Sequence, residues 1–243
     1  MELIVLGNSS RLLSHLGAGV SYLLSSGDTH LVIDAGNRTA ERAREVLGGQ
    51  APSGLLLPHH HPPCLADAVP VLNMLPPGAP VFVPGGSMPS IRRTLLKEAA
   101  RSAKELTFRE VSEGDEALVG PFTLRFARAK HGCQGVAFRA EAEGRSITYL
   151  GDTGYLAGIR ALSQNANLLV AHALLLDATS EGNVSEWNLS AGAAARLAAE
   201  ARVARLAVAH MPFYSEAEAS LAEARAHFPS EVIPLAEGAR YVV

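Results

Sequence analysis

Cysteine is scarce in this 243-residue chain. Cys64 and Cys133 are its only two, too few for a disulfide scaffold, and a reducing cytoplasm is the simpler setting. Excess charge of one sign is also missing: the net charge of -3 gives no basic footprint. A nucleic-acid partner held mainly through phosphates is therefore not favoured, although a local arginine patch would be compatible with one. No apolar run approaches membrane-spanning length, and the longest, Leu168 to Leu176, is interrupted by His172. The N-terminus has no positively charged region ahead of an apolar stretch, and its first apolar run breaks at Gly7-Asn8, so no signal peptide is expected. Low-complexity linkers and sequence repeats are absent as well.

What remains is an ordinary globular composition, 48% hydrophobic and 19% charged. The length suits one large single-core domain over residues 1–243. Short β-type runs fill the first third: MELIVLGN, VSYLLSS, HLVIDAG and GLLLPH. Helices are expected at Thr39–Leu47, with Thr39 as N-cap, at Cys64–Leu75 after Pro62-Pro63, and at Ser87–Ala103. PVFVPGG is a further strand between the last two of these. A run of strands leads to Asp152. Helices over 158–165, 190–203 and 215–227 then alternate with the strands NLLVAHALL, RLAVAHM and EVIPL. Ser215 with Glu218 makes a capping-box pattern. Strands first and β/α alternation afterwards indicate a single α/β domain.

Four buried strand-like segments end on metal-ligand residue types: LLLPH at His59, ITYLGD at Asp152, NLLVAH at His172 and RLAVAH at His210. Any one of these alone reads best as a satisfied core or surface residue. Together they point to a site, because ligand sites gather at strand ends in α/β sheets and such side chains stay exposed unless paired. Imidazoles with a carboxylate suit zinc or iron. In His59-His60-His61, residues i and i+2 of an extended segment face the same way, so His59 and His61 can grip one ion while His60 points elsewhere.

HHHPPC (59–64), His131, GDT (151–153) and AH (209–210) together resemble the metallo-β-lactamase superfamily, whose signature is H-x-H-x-D-H, a distant His, a bridging Asp and a final His. SITYLGDTGY and NLSAGAAARLAAEARVARLAVAHMPF resemble its ribonuclease Z-like branch. The resemblance implies a four-layered αββα fold. It also implies a first metal site on His59, His61 and His131, with Asp152 bridging to a second site that includes His210. Asp34 resembles a position that supports the histidine loop. Two departures stand out: Pro63 occupies the motif's Asp position and Cys64 its final His. The branch's Glu/His pair corresponds to His172 and Asn188.

Pro63 cannot ligate, so the second site keeps at most Asp152, His210 and Cys64. Cys64 has two readings: a thiolate ligand near a helix start, or a small buried apolar residue. Cys133 reads as structural filler, Gly151 and Gly154 as tight backbone around Asp152, Tyr155 and Tyr214 as residues of the entrance or of the bland surface, and Trp187 as a cover of the pocket mouth or a staple for the helix that follows. The expected function is a metal-dependent hydrolase of small ester or phosphodiester substrates, weak or altered, with zinc as cofactor and iron or manganese as alternatives. Asp152 would act on the water, with His172 partly replacing the missing proton donor. No long inserted arm of the kind that grips tRNA is visible. Competing readings are a ligand-binding member without turnover and a mononuclear iron oxidoreductase. A homodimer is also expected from the branch.

Overall fold

Strand β1 (Glu2–Gly7), β2 (Ser21–Ser26) and β3 (Thr29–Ile33) each hold a short buried apolar run, Leu3–Leu6, Tyr22–Leu24 and Leu31–Ile33. In the computed structural model, which describes residues 1–8, 18–96, 106–179, 186–209 and 214–243, they open the first of two seven-stranded sheets. The chain divides into two compact units. One comprises Met1–Val111, Val119–Pro121 and Ala236–Val242, the other Ser112–Leu118, Phe122–Leu235 and Val243.

The first unit carries the sheet β14-β1-β2-β3-β4-β5-β6, completed by β4 (Gly54–Leu56), β5 (Pro80–Pro84), β6 (Thr107–Val111) and β14 (Arg240–Val242). Pairing is antiparallel from β14 to β3 and parallel from β3 to β6. Both edge strands carry exposed charge: β6 exposes Arg109 and Glu110, and β14 exposes Arg240 beside an exposed Val242. Charged edges discourage pairing with other chains. One core cluster unites Leu23, Val32, Leu55 and Val81 of the sheet with Ala43, Leu47, Val71 and Leu72 of the helices.

The second unit repeats this plan without repeating the sequence. Its sheet runs β13-β12-β11-β10-β9-β8-β7, with β7 (Glu116–Val119), β8 (Phe122–Arg128), β9 (Val136–Ala142), β10 (Arg145–Tyr149), β11 (Leu168–His172), β12 (Arg205–Ala209) and β13 (Glu231–Pro234). β8, β9 and β10 are antiparallel, and β10 to β13 parallel. Its core is rich in alanine, including Ala194, Ala195 and Ala198, against Leu169, Leu206 and Val208. Among the described residues no helix is long and apolar enough to cross a membrane.

Helix α1 spans Thr39–Leu47 as expected, but Arg38, in the left-handed region at φ 69°, holds the N-cap position. Thr39 is instead the first helical residue, its hydroxyl donating to the Gly36 carbonyl. The single helix expected at Cys64–Leu75 is two short ones, α2 (Pro62–Leu65) and α3 (Ala68–Leu72). Pro70 lacks the N–H that would bond back to Ala66, which ends the first of them. The Asp67 carboxylate between them accepts the Ala40 N–H at 2.7 Å, locking that break against α1. Helix α4 is only Met88–Ile91 and passes into a π-helical turn at Arg92–Leu96. The rest of the expected Ser87–Ala103 helix falls mostly outside the described residues.

In the second unit, α5 (Ala157–Leu162), α6 (Ala191–Glu200) and α7 (Tyr214–His227) match the three expected helices within a few residues. Ser190 caps α6, its hydroxyl accepting the Ala193 N–H at 3.0 Å. The side chain of Ser215, half of the expected capping box, lies outside the described residues.

Candidate metal centre

In the first unit, strand β4 lies between β3 and β5, and Leu57 extends the ladder by donating to the Phe82 carbonyl at 2.9 Å. Pro58 cannot donate to a ladder, so the chain leaves the sheet edge there and presents the histidines. His59 is 2% exposed and its ring meets that of His61 edge-on, with centroids 5.2 Å apart. The ring nitrogens offered by His59 and His61 lie within 4.8 Å of each other. Burial holds the pKa of His60 below its ordinary value, which favours its neutral form.

Cys64 comes close to His59, with Sγ 3.4 Å from Nε2. The buried Asp34 joins them: one ligand atom from each of Asp34, His59 and Cys64 lies within 4.8 Å of the others. The frame around them is tightly bonded. Asp34 N–H donates to the Leu56 carbonyl at 2.9 Å and Ala35 N–H to the Cys64 carbonyl at 2.9 Å. Cys64 N–H donates to His61 at 3.0 Å, and Asp67 N–H to Ala35 at 2.8 Å.

In the second unit, parallel pairing of β10 with β11 sets Tyr149 opposite Val170 and brings the loop after β10 beside the end of β11. Asp152 and His172 meet there. His172 Nδ1 is 2.7 Å from Asp152 Oδ1, and its Nε2 is 2.9 Å from the Tyr149 hydroxyl. Since a carboxylate only accepts, Nδ1 carries the proton in the neutral ring and Nε2 accepts from Tyr149. The other carboxylate oxygen, Asp152 Oδ2, faces His131 Nε2 at 3.9 Å. His131 Nδ1 donates to the Trp187 carbonyl at 2.9 Å, which places that ring's lone pair on Nε2.

The loops carrying His131 and Asp152 are fastened to each other. Lys130 N–H donates to the Thr153 hydroxyl oxygen at 2.9 Å, and Gly154 N–H to the Lys130 carbonyl at 2.8 Å. Gly151 sits at φ 60°, where a side chain is strained. A Cβ at Gly154 would overlap the Glu186 carbonyl oxygen, one residue before Trp187. Both glycines thus do what the sequence suggests. Further support comes from a group that sequence reasoning missed. Asp177 accepts from both guanidinium arms of Arg196, at 2.9 and 3.1 Å, and from the Ser190 hydroxyl. These bonds hold its pKa below the ordinary carboxylate value, the Arg196 hydrogen bond contributing most. Glu223 accepts the Asp177 and Gly192 N–H groups at 2.9 and 2.6 Å, tying α7 to the start of α6.

His210 follows β12 directly but lies outside the described residues, as does the Tyr214 side chain. Tyr155 bonds Glu200 at 3.2 Å on the surface, Cys133 is half-buried, and neither cysteine is in a disulfide. Trp187 is 44% exposed, and its backbone carbonyl makes the contact to His131. Asn188 is 9% exposed.

The donors fit a divalent ion of zinc's character. Each unit offers imidazole nitrogen beside a carboxylate, and the first adds a thiol, a set that favours borderline metals over magnesium or calcium. His131 also shows the support usual for metal-bound histidine, its second nitrogen donating to a carbonyl.

The chain is 26% identical over 220 residues to the probable metallo-hydrolase YhfI of Bacillus subtilis, covering 87% of each protein. It is 26% identical over 234 residues to ribonuclease Z of Mycobacterium tuberculosis, covering 86% of this chain and 85% of that one. The crystal structure of YhfI superposes with a TM-score of 0.86 at 21% identity, over 99% of this chain and 98% of that one. Human tRNase Z, short form, gives 0.77 at 18% identity, over 100% and 99%. The family model for the beta-lactamase superfamily domain matches residues 29–211. With that match and two mixed sheets of the metallo-β-lactamase fold, the chain belongs to the beta-lactamase superfamily.

Proposed function

We propose that this protein is a metal-dependent hydrolase of small ester or phosphodiester substrates, holding zinc on His59, His61, His131 and Asp152. The observation that carries this reading is the second unit's chain of contacts, in which Trp187 orients His131 and His172 orients Asp152. The family motif supplies the pairing with His59 and His61. An ion bound there would supply Lewis acidity and a water of lowered pKa.

The protein's own groups have separable tasks. His59, His61 and His131 bind as neutral imidazoles. Asp152 keeps Oδ1 engaged by His172, so Oδ2 is the oxygen turned toward His131, where it can accept a proton or orient a water. His172 is 2% exposed and bonded to both Asp152 and Tyr149, so its part is to position Asp152. The proton donor that a leaving group would need is thus not supplied by His172. With Pro63 and Cys64 in place of an Asp and a His, hydrolysis should be slow and mainly of substrates with good leaving groups.

The test is turnover of p-nitrophenyl acetate and bis(p-nitrophenyl) phosphate by purified protein, before and after chelation and after zinc is restored. Hydrolysis that disappears with chelation and returns with zinc supports the reading. Protein that binds zinc yet hydrolyses neither compound is a ligand-binding member of the superfamily and overturns it.

A further inference from the structure

We propose that Asp34, His59 and Cys64 form a thiolate-containing seat for a borderline-soft divalent ion, built entirely within the first unit. The three donor atoms, an oxygen, a nitrogen and a sulfur, lie within 4.8 Å of one another, and all three residues are buried. Asp34 is 0% exposed, Cys64 1% and His59 2%. An ion coordinated by the Asp34 carboxylate and by a thiolate would neutralise both.

The geometry suits the ion. Tetrahedral zinc with a sulfur at about 2.3 Å and an imidazole nitrogen at about 2.0–2.1 Å sets those two ligands ~3.5 Å apart. Here Cys64 Sγ and His59 Nε2 are 3.4 Å apart. In the metal-free chain the same pair is already in hydrogen-bond contact, so the seat can stand ready without large movement. The donors also sit on a fixed frame. Asp34 is held at φ 57°, and hydrogen bonds join Asp34 to Leu56, Ala35 to Cys64 and Cys64 to His61. Mixed sulfur, nitrogen and oxygen ligation selects zinc or cobalt over magnesium or calcium.

The seat rests on the proposed hydrolase only in sharing His59. Nε2 is the ring atom that faces Cys64, and a neutral imidazole offers one lone pair. An ion held by Cys64, Asp34 and His59 therefore competes with the hydrolytic ligand set for that one lone pair. The cysteine at position 64 then changes where the ion resides and adds sulfur to its ligands.

The experiment uses the whole chain loaded with cobalt(II), followed by absorption in the near ultraviolet, where thiolate-to-cobalt charge transfer appears. The wild type should show this band. Cys64→Ser should lose it while keeping its circular dichroism spectrum, and Cys133→Ser and His131→Ala should retain it. Cobalt bound by the wild type without a sulfur band overturns the seat and leaves the hydrolase reading standing. A band that survives Cys64→Ser and vanishes with Cys133→Ser overturns the seat as well. A Cys64-dependent band in protein that hydrolyses nothing upholds the seat and removes the hydrolase reading. Failure of cobalt to bind at all removes both.

Discussion

His172 Nδ1 lies 2.7 Å from Asp152 Oδ1, so a buried imidazole fixes one oxygen of the carboxylate whose other oxygen faces His131. Removing it should loosen Asp152 without touching substrate. His172→Ala is expected to lower zinc affinity and kcat/KM by about 10–100-fold, the usual effect of losing a support behind a metal ligand. His172→Asn, whose amide N–H can replace Nδ1–H, should recover part of both. Equal losses in Ala and Asn variants, with unchanged zinc affinity, would mean that His172 acts in some other way.

Tyr149 closes that chain from the far side, its hydroxyl 2.9 Å from His172 Nε2. Tyr149→Phe keeps the ring packing against Phe138 and deletes only the hydroxyl. Thermal or urea unfolding should show a loss of about 1–3 kcal/mol, the cost of leaving a buried polar atom unpaired. Its effect on zinc affinity should be smaller than that of His172→Ala. The reverse order would contradict a chain that acts through His172.

Gly154→Ala tests how far backbone spacing sets the second unit's candidate ligands. The added Cβ would run into the Glu186 carbonyl and push the segment that carries the Trp187 oxygen away from His131. Stability should fall by about 1–3 kcal/mol, and zinc affinity should fall with it. Trp187→Ala leaves the carbonyl in place and should change affinity much less. Calorimetric zinc titration of the two variants separates the outcomes.

Pro63→Asp with Cys64→His restores the ligand types that the family motif has at these positions. The double variant should bind more zinc per chain than the wild type and hydrolyse phosphodiesters faster. Elemental analysis beside the turnover assay decides this. An unchanged metal content would show that the missing ligands are not what limits the second site.

The Asp177–Arg196 pair gives a pH dependence. A carboxylate whose pKa is lowered in the folded chain stabilises fully above its unfolded value, about 3.9. That contribution is lost as the pH falls through the folded value. Both side chains are substantially exposed, so Arg196→Gln should cost no more than about 1 kcal/mol at neutral pH. The gap to wild type in urea unfolding should close below about pH 4. A gap that widens in acid would show that Asp177 is not the group involved.

The candidate ligands were legible because metal ligation uses few residue types at fixed spacing, and the motif itself points to His59, His61, His131 and Asp152. The supports were not legible. The group that orients His131 is a backbone carbonyl at Trp187, which leaves no mark on the sequence. Glu223 reaches Asp177 across a long stretch of chain, and only the tertiary fold joins them. Tyr149 did leave a trace, since a tyrosine inside a buried strand needs a partner for its hydroxyl. The split between α2 and α3 was also written in the sequence, at Pro70, but the apolar pattern across it masked the break. Thr39 looked like a helix cap, yet Arg38 takes the capping backbone position.

The most direct measurement is zinc content and phosphodiester hydrolysis determined together on wild type and His131→Ala. The account predicts that the wild type carries zinc and that its hydrolysis falls with chelation and returns with the metal. It also predicts that His131→Ala loses most of its hydrolysis while remaining folded. Undiminished hydrolysis by the chelated wild type or by His131→Ala would contradict it.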